Sequence, residues 1–544
     1  MRPSSFIFIS SCRPKPTLRF GHPRMALQSL LNICAEYAIY IFVAYCLILS
    51  GYRILLHPLR DYPGPLIAKL SDSYGAYYSL RRRLHLTTRR DHLRYGNVIR
   101  QGPNKLVFNS SQALQDIYNN DRVEKSKVYL ATLLSPHPNL FNVIDRNAHR
   151  TKRKLIGSVL SEHSMRTFEP TMADQINIFI RQLRLSSSSS DPVNLSERTK
   201  LLTLDIVGHL AFGYSLNLQT ETKNHCVVSA LRGGNYRLNT YMQYPFLARL
   251  HLEVFVYIMM LLKKGSYLRL LQTMITSRLS EEKHAKHDLY SIVADNMNTS
   301  QGESITLSEL WSEALFFFPA GGESISTAIS SLFFYLSRNP DSYIKLKDEI
   351  RTTFNDAEEI CGGKQLASCK YLRACIEEAL RLAPPAPGTL WRERASTDDR
   401  RQPFIIDGHV IPDGTIFGVN MYTLHHNEEY FPEPFSFKPE RWLSFHTSEV
   451  EMKRMQSAFA PFSLGTRGCA GKSMAYLEVS LVIAKTIWHF DFSMPSGPLS
   501  AVGAGSASKQ EIIGREREGE FQLDDIFTAG HDGPYLTFRP RDMG

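Results

Sequence analysis

Between Leu27 and Leu49 the chain runs apolar with a single charge, Glu36. At about 1.5 Å per residue such a helix is roughly 35 Å long, enough to cross a bilayer core. A second apolar pattern opens at the capping box Thr306-Leu-Ser-Glu309 and continues to Arg338, ahead of Asn339-Pro340. Its middle reads Pro319-Ala-Gly321-Gly322-Glu323-Ser324, which predicts a break in the hydrogen-bond ladder. Helical spacing also predicts helices over His149–Leu160, Tyr371–Leu382 and Lys472–Trp488. Arg81–Arg83 and Arg89-Arg90 read as helical ground. Val98–Phe108 predicts two strands about the turn at Gly102-Pro103. Phe404–Met421 predicts short hairpins, and Phe521–Phe538 a final strand pair.

Residues 126–142 read as a long loop, and the serine run Ser186–Ser190 as a flexible connector between helices. Asp61-Tyr-Pro63-Gly-Pro65 is a stiff, non-helical joint. The apolar run Val254–Leu262 is too short to span a membrane. It reads as core, or as a surface segment dipping into lipid.

The length of 544 residues with 43% hydrophobic and 21% charged residues describes a large globular chain, not a disordered one. The formal charge of +10 is compatible with nucleic acid, a membrane surface or an acidic protein partner. No nucleic-acid-binding module is visible, so the last two remain. Eight cysteines without a C-x-x-C pair suit a reducing compartment, and Cys361, Cys369 and Cys375 lack zinc-site spacing.

One short stretch carries candidate chemistry: Phe462-Ser-Leu-Gly465-Thr-Arg467-Gly-Cys469-Ala-Gly471. A cysteine just before a helix meets unpaired backbone N–H groups and the positive end of the dipole, which favours its thiolate. Gly465, Gly468 and Gly471 allow sharp turns and a close approach to something flat. Phe462 can keep water from the sulfur, and Arg467 offers a cation suited to a carboxylate. A lone cysteine in a glycine-rich loop is ordinarily a small buried hydrophobe. Here five positions agree on an axial heme ligand, a shielded thiolate beside close-approach glycines.

The stretch resembles the signature of the cytochrome P450 family, the heme-thiolate monooxygenases, which reads F-x-x-G-x-R-x-C-x-G. Every fixed position is present; Thr466 stands where proline is common. The resemblance implies a mainly α fold with smaller β-sheets, one large domain behind an N-terminal transmembrane helix. The expected divisions are an extension over 1–26, an anchor over 27–50, a proline-rich hinge over 51–65 and the monooxygenase domain over 66–544. It implies heme b under Cys469, O2 on the opposite face, and NADPH-derived electrons from an acidic flavoprotein reductase, with cytochrome b5 as a further donor. The substrate would be an apolar small molecule.

The resemblance also assigns roles to residues outside the loop. His149 and Arg153 stand at the spacing of a Trp-x-x-x-Arg that touches a heme propionate, with the tryptophan replaced. Arg392 matches a further propionate-binding arginine. Glu323 and Ser324 match an acid–hydroxyl pair for proton delivery, with serine in place of threonine. Glu378, Arg381 and Arg441 match a buried structural cluster. A basic face from Arg150, Lys152, Lys154 and Lys472 would suit the reductase.

The expected location is the endoplasmic reticulum membrane, single-pass, with the catalytic domain in the cytosol. Five basic residues before the anchor conflict with that orientation, which makes Met25 the expected start. Three other readings remain open: a heme-thiolate isomerase or dehydratase, a desaturase, and a non-catalytic membrane heme-binding protein. The tail and the Pro439-Glu-Arg441-Trp442 form resemble filamentous-fungal members of the family, which implies a role in secondary metabolism.

Overall fold

A computed structural model describes residues 23–133, 136–250, 266–294 and 306–541. The Val254–Leu262 run and residues 1–22 of the expected extension lie outside them. The chain divides into two compact units, Met1–Arg60 and Asp61–Gly544. In the first, a helix runs Pro23–Gly51 and passes into a π-helical stretch, Tyr52–Leu56. Helical backbone therefore extends past the expected anchor end at residue 50. Among the described residues one helix, Glu36–Leu56, is long and apolar enough to cross a membrane.

The described residues of the second unit are mostly helical with three small sheets. The largest is five-stranded. Val98–Gly102 (β1) and Lys105–Phe108 (β2) pair antiparallel about the predicted turn. Ile416–Val419 (β8) then pairs parallel to β2. Arg392–Arg394 (β5) joins β8 to Val123–Lys125 (β3), with Lys125 directly opposite Arg392. Ile405–Ile406 (β6) and His409–Val410 (β7) form the expected hairpin.

The final strand pair is a correction. Tyr535–Pro540 (β10) pairs with Phe490–Ser493 (β9) and with Val193-Asn194 (β4), not with the segment from Phe521. That segment instead bends back through a bridge between Asp524 and Gly530. The serine run is a second correction, since the helix Glu162–Ser188 continues into it. Ser187 and Ser188 donate to the Arg184 carbonyl at 2.7 and 3.2 Å, so each hydroxyl is satisfied within the helix. Arg81–Arg83 likewise lie between helices, with Arg82 at φ 56°, while Arg89 and Arg90 sit on the helix Leu84–Tyr95.

The long apolar helix breaks where proline and glycine predict. It runs Leu307–Phe317, winds through a π-helical turn Phe318–Glu323, and resumes as Ser324–Arg338. The glycines have a second use there. A Cβ on Gly322 would lie 2.4 Å from Leu204 Cδ2, and one on Gly321 2.7 Å from Val207 Cγ2. Both residues belong to the helix Leu195–Phe212, which packs tightly into the break. Carbonyls freed by the turn find hydroxyls: Thr203 donates to Gly322 O at 2.6 Å, and Ser324 donates to Ala320 O.

Candidate active site

The loop before the helix Lys472–His489 is held by its own backbone. Cys469 N–H donates to Phe462 O at 2.8 Å, and Gly468 N–H to Gly465 O at 3.0 Å. Gly465 has φ +66°, and a Cβ there would lie 2.2 Å from Tyr118 O, so only glycine fits. A Cβ on Gly471 would meet no protein atom within 4 Å; the space beside it belongs to a cavity. Cys469, Phe462, Gly468 and Gly471 all line that cavity. So do Pro319, Ala320, Gly321 and Ser324 from the broken helix, which brings the two predicted motifs to one space.

The exposed surface of Cys469 faces this interior space, not bulk solvent. Burial raises the thiol above its ordinary value, outweighing the Gly471 N–H, Arg153 and Lys472. The helix-start N–H and the two cations act in the expected direction, toward the thiolate. Desolvation is the larger effect, and a metal cation bound at the sulfur would favour its ionised form.

Basic side chains gather at the same cavity. Lys125, His149, Arg153, Arg392 and Arg467 all line it. Burial first, then Arg467, Lys125, Arg153 and Arg392, pushes His149 down to about 3, so the ring is neutral. Burial and then Arg392 push Arg467 down to about 10. Lys125 is held well below its ordinary value by burial, then by Arg392 and Arg467. Arg467 donates to the Val143 and Ile144 carbonyls at 2.7 and 2.6 Å, and Arg153 to Gly468 O at 2.6 Å. Arg392 lies over the Tyr118 ring at 5.0 Å. Among the described residues, none of these basic groups has a carboxylate within 4 Å.

This donor set fits an anionic planar cofactor. Arg153, Arg392 and Arg467, with Lys125 and the neutral His149 ring, suit the carboxylates of such a group, and the thiol and glycines face the same space. The residues expected near heme carboxylates, His149, Arg153, Arg392 and Arg467, are brought together on this cavity. Lys125 joins them and was missed in the sequence. Its place follows from the register of β3 on β5, which no local pattern reveals.

Glu323 and Ser324 are not brought to hydrogen-bond distance. Ser324 lines the cavity and bonds to Ala320 O. The Glu323 carboxylate, buried, instead accepts from Asn235 Nδ2 at 2.8 Å and Thr528 Oγ1 at 3.3 Å. Burial raises its pKa, opposed first by Lys200.

Glu378, Arg381 and Arg441 do meet. Arg381 donates to both Glu378 oxygens at 2.8 and 2.9 Å, and Arg441 Nε donates at 3.0 Å. Trp442 Nε1 adds a further donor at 2.9 Å. Lys152 corrects the expected basic face: it points inward, buried, to pair with Glu313 at 3.0 Å and Glu309 at 3.6 Å. Arg150, Lys154 and Lys472 are exposed. Lys152→Ala is expected to cost about 3 kcal/mol, because it strands the buried Glu313 carboxylate. A urea melt reads this, and the added change Glu313→Gln should recover much of the loss. An unchanged midpoint would show that the pair contributes no net stability.

Comparison with known proteins agrees with this geometry. The family model for cytochrome P450 matches residues 76–501. The chain is 33% identical over 537 residues to cytochrome P450 monooxygenase apf7 of Gibberella fujikuroi, covering 93% of this chain and 98% of that protein. It is 32% identical over 513 residues to cytochrome P450 monooxygenase poxM of Penicillium oxalicum, covering 93% and 94%. It is 31% identical over 523 residues to cytochrome P450 monooxygenase AKT7 of Alternaria alternata, covering 94% and 98%. The chain belongs to the cytochrome P450 family.

Proposed function

We propose that this oxidoreductase inserts one oxygen atom from O2 into an apolar small molecule in fungal secondary metabolism. The observation that carries this reading is the convergence on one largely apolar cavity of a thiol, Cys469, and the basic group Lys125, His149, Arg153, Arg392 and Arg467. Heme b bound there supplies the activation of oxygen. Cys469 would hold its iron, and the basic residues its two carboxylates, with neutral His149 as a hydrogen-bond donor. Phe462 excludes water beside the sulfur. Ser324 on the cavity wall and the buried Glu323 next to it in the chain would hold protons for the reaction.

Electrons would come from NADPH through an acidic flavoprotein reductase, with cytochrome b5 as a second source. Exposed Arg150, Lys154 and Lys472 supply complementary charge. The helix Glu36–Leu56 would anchor the chain in the endoplasmic reticulum membrane, with Asp61–Gly544 in the cytosol.

The test is spectroscopic. The reduced, heme-loaded protein under carbon monoxide should show the red-shifted Soret band of thiolate ligation. Oxygen uptake with substrate should require NADPH and reductase. A folded, loaded protein without that band would refute the reading.

Ser324 has a separate test. Its hydroxyl caps Ala320 O and faces the cavity, so it can pass a proton without moving far. Ser324→Ala is expected to raise peroxide released per product several-fold, with carbon monoxide binding unchanged. Equal coupling in both proteins would remove Ser324 from the proton path.

A further inference from the structure

The carboxamide of Asn235 has no part in the monooxygenase reading as given above. Asn235 lies on the helix Cys226–Gln243, is buried, and lines the cavity. Both of its Nδ2 hydrogens are committed. One goes to Glu323 Oε2 at 2.8 Å and the other to Thr528 Oγ1. Thr528 in turn donates to the same Glu323 oxygen at 3.3 Å. Three distant segments therefore fix which way the amide faces.

An amide with both hydrogens taken has one remaining valence, its oxygen. Asn235 Oδ1 accepts no hydrogen bond among the described residues. The cavity that Asn235 lines also carries the apolar side chains of Leu238, Phe316, Phe317, Ile325 and Phe527. Phe141 stacks on Phe316 with ring centroids 5.2 Å apart and meets Phe527 edge-on at 4.9 Å. A ligand with a polar donor pays to desolvate it anywhere along these rings. At Asn235 Oδ1 the donor finds a fixed acceptor.

We propose that Asn235 is a specificity-determining residue that accepts a hydrogen bond from a hydroxyl or N–H group on the substrate's apolar body. Glu323 and Thr528 are positioning residues for it, because they hold the amide oxygen toward the cavity. The inference deepens the proposed function and rests on this cavity being the substrate site.

The test uses a matched pair of probes, 1-tetralol and its methyl ether, which differ in the hydrogen-bond donor. Binding to the heme-loaded full chain is measured by calorimetry and by the Soret shift. The wild type should bind the alcohol roughly tenfold more tightly than the ether, the scale of one well-formed hydrogen bond. Asn235→Leu should abolish the preference while leaving the affinity for the ether nearly unchanged. Glu323→Leu should weaken the preference, since the amide is then free to turn, and Ser324→Ala should leave it intact. A ratio near one in the wild type, no binding of the alcohol, or a ratio that survives Asn235→Leu overturns the assignment. Failure of the wider reading is recognised separately, by absence of the thiolate band in reduced protein under carbon monoxide.

Discussion

Cys469→Ser is expected to eliminate the thiolate-type band and to lower NADPH-dependent substrate oxidation by about a thousandfold or more, as when one member of a reacting unit is removed. The hydroxyl is far less acidic than the thiol and is a poorer donor to soft or borderline metals. The fold should survive. The loop is shaped by backbone contacts, Cys469 N–H to Phe462 O and Gly468 N–H to Gly465 O, and serine keeps both. The check is a carbon monoxide difference spectrum beside a thermal melt monitored by circular dichroism. Retention of the thiolate band in Cys469→Ser would mean that another residue holds the iron.

The second large effect is on stability. Glu378→Ala should cost about 3–5 kcal/mol, the range for breaking a buried ion pair and leaving its partners uncompensated. Glu378 and Arg381 are each 0% exposed, so solvent cannot take over. Three side chains and the Lys438 N–H converge on that one carboxylate. Arg381 also donates to the carbonyls of His425, Pro434 and Ser436, so the cluster ties several loop turns to one helix.

The sign of the pH dependence follows. Burial raises Glu378, but Arg381 and Arg441 outweigh it, and the net shift is downward from 4.5. A depressed carboxylate stabilises the fold above its unfolded value. It loses that contribution only as pH falls through the folded value, below about 4.5. Denaturant midpoints of wild type and Glu378→Ala should therefore stay apart between pH 5 and 7 and converge in stronger acid. Equal midpoints at neutral pH would make the cluster dispensable.

What could be read from the chain alone was local. The Cys469 loop, the break at Pro319–Glu323 and the Glu378–Arg381 pair are each written within a few neighbouring residues. Chemistry there depends on spacing, and spacing is visible. Lys125 and the contact of Asn235 with Glu323 depend on long-range placement. Lys125 reaches the cavity because β3 pairs with β5, and Asn235 meets Glu323 across 88 positions of chain. Lys152 was misjudged because a lysine among basic neighbours looks solvated. Its direction is set by Glu313, a residue on a distant helix. The pairing of β10 with β9 was missed for the same reason, since nearness in sequence favours a hairpin that the fold does not use.

The wall formed by Lys125, His149, Arg153, Arg392 and Arg467 has a practical consequence. The guanidinium groups of Arg153, Arg392 and Arg467, gathered with Lys125 and the neutral His149 ring on one cavity wall, favour a bound group that carries negative charge. The pigment is then a partner in folding as well as in chemistry, and binding it shifts the balance toward the native chain. A host cell making this protein should yield soluble material in proportion to its supply of porphyrin precursors, and little when that supply is short.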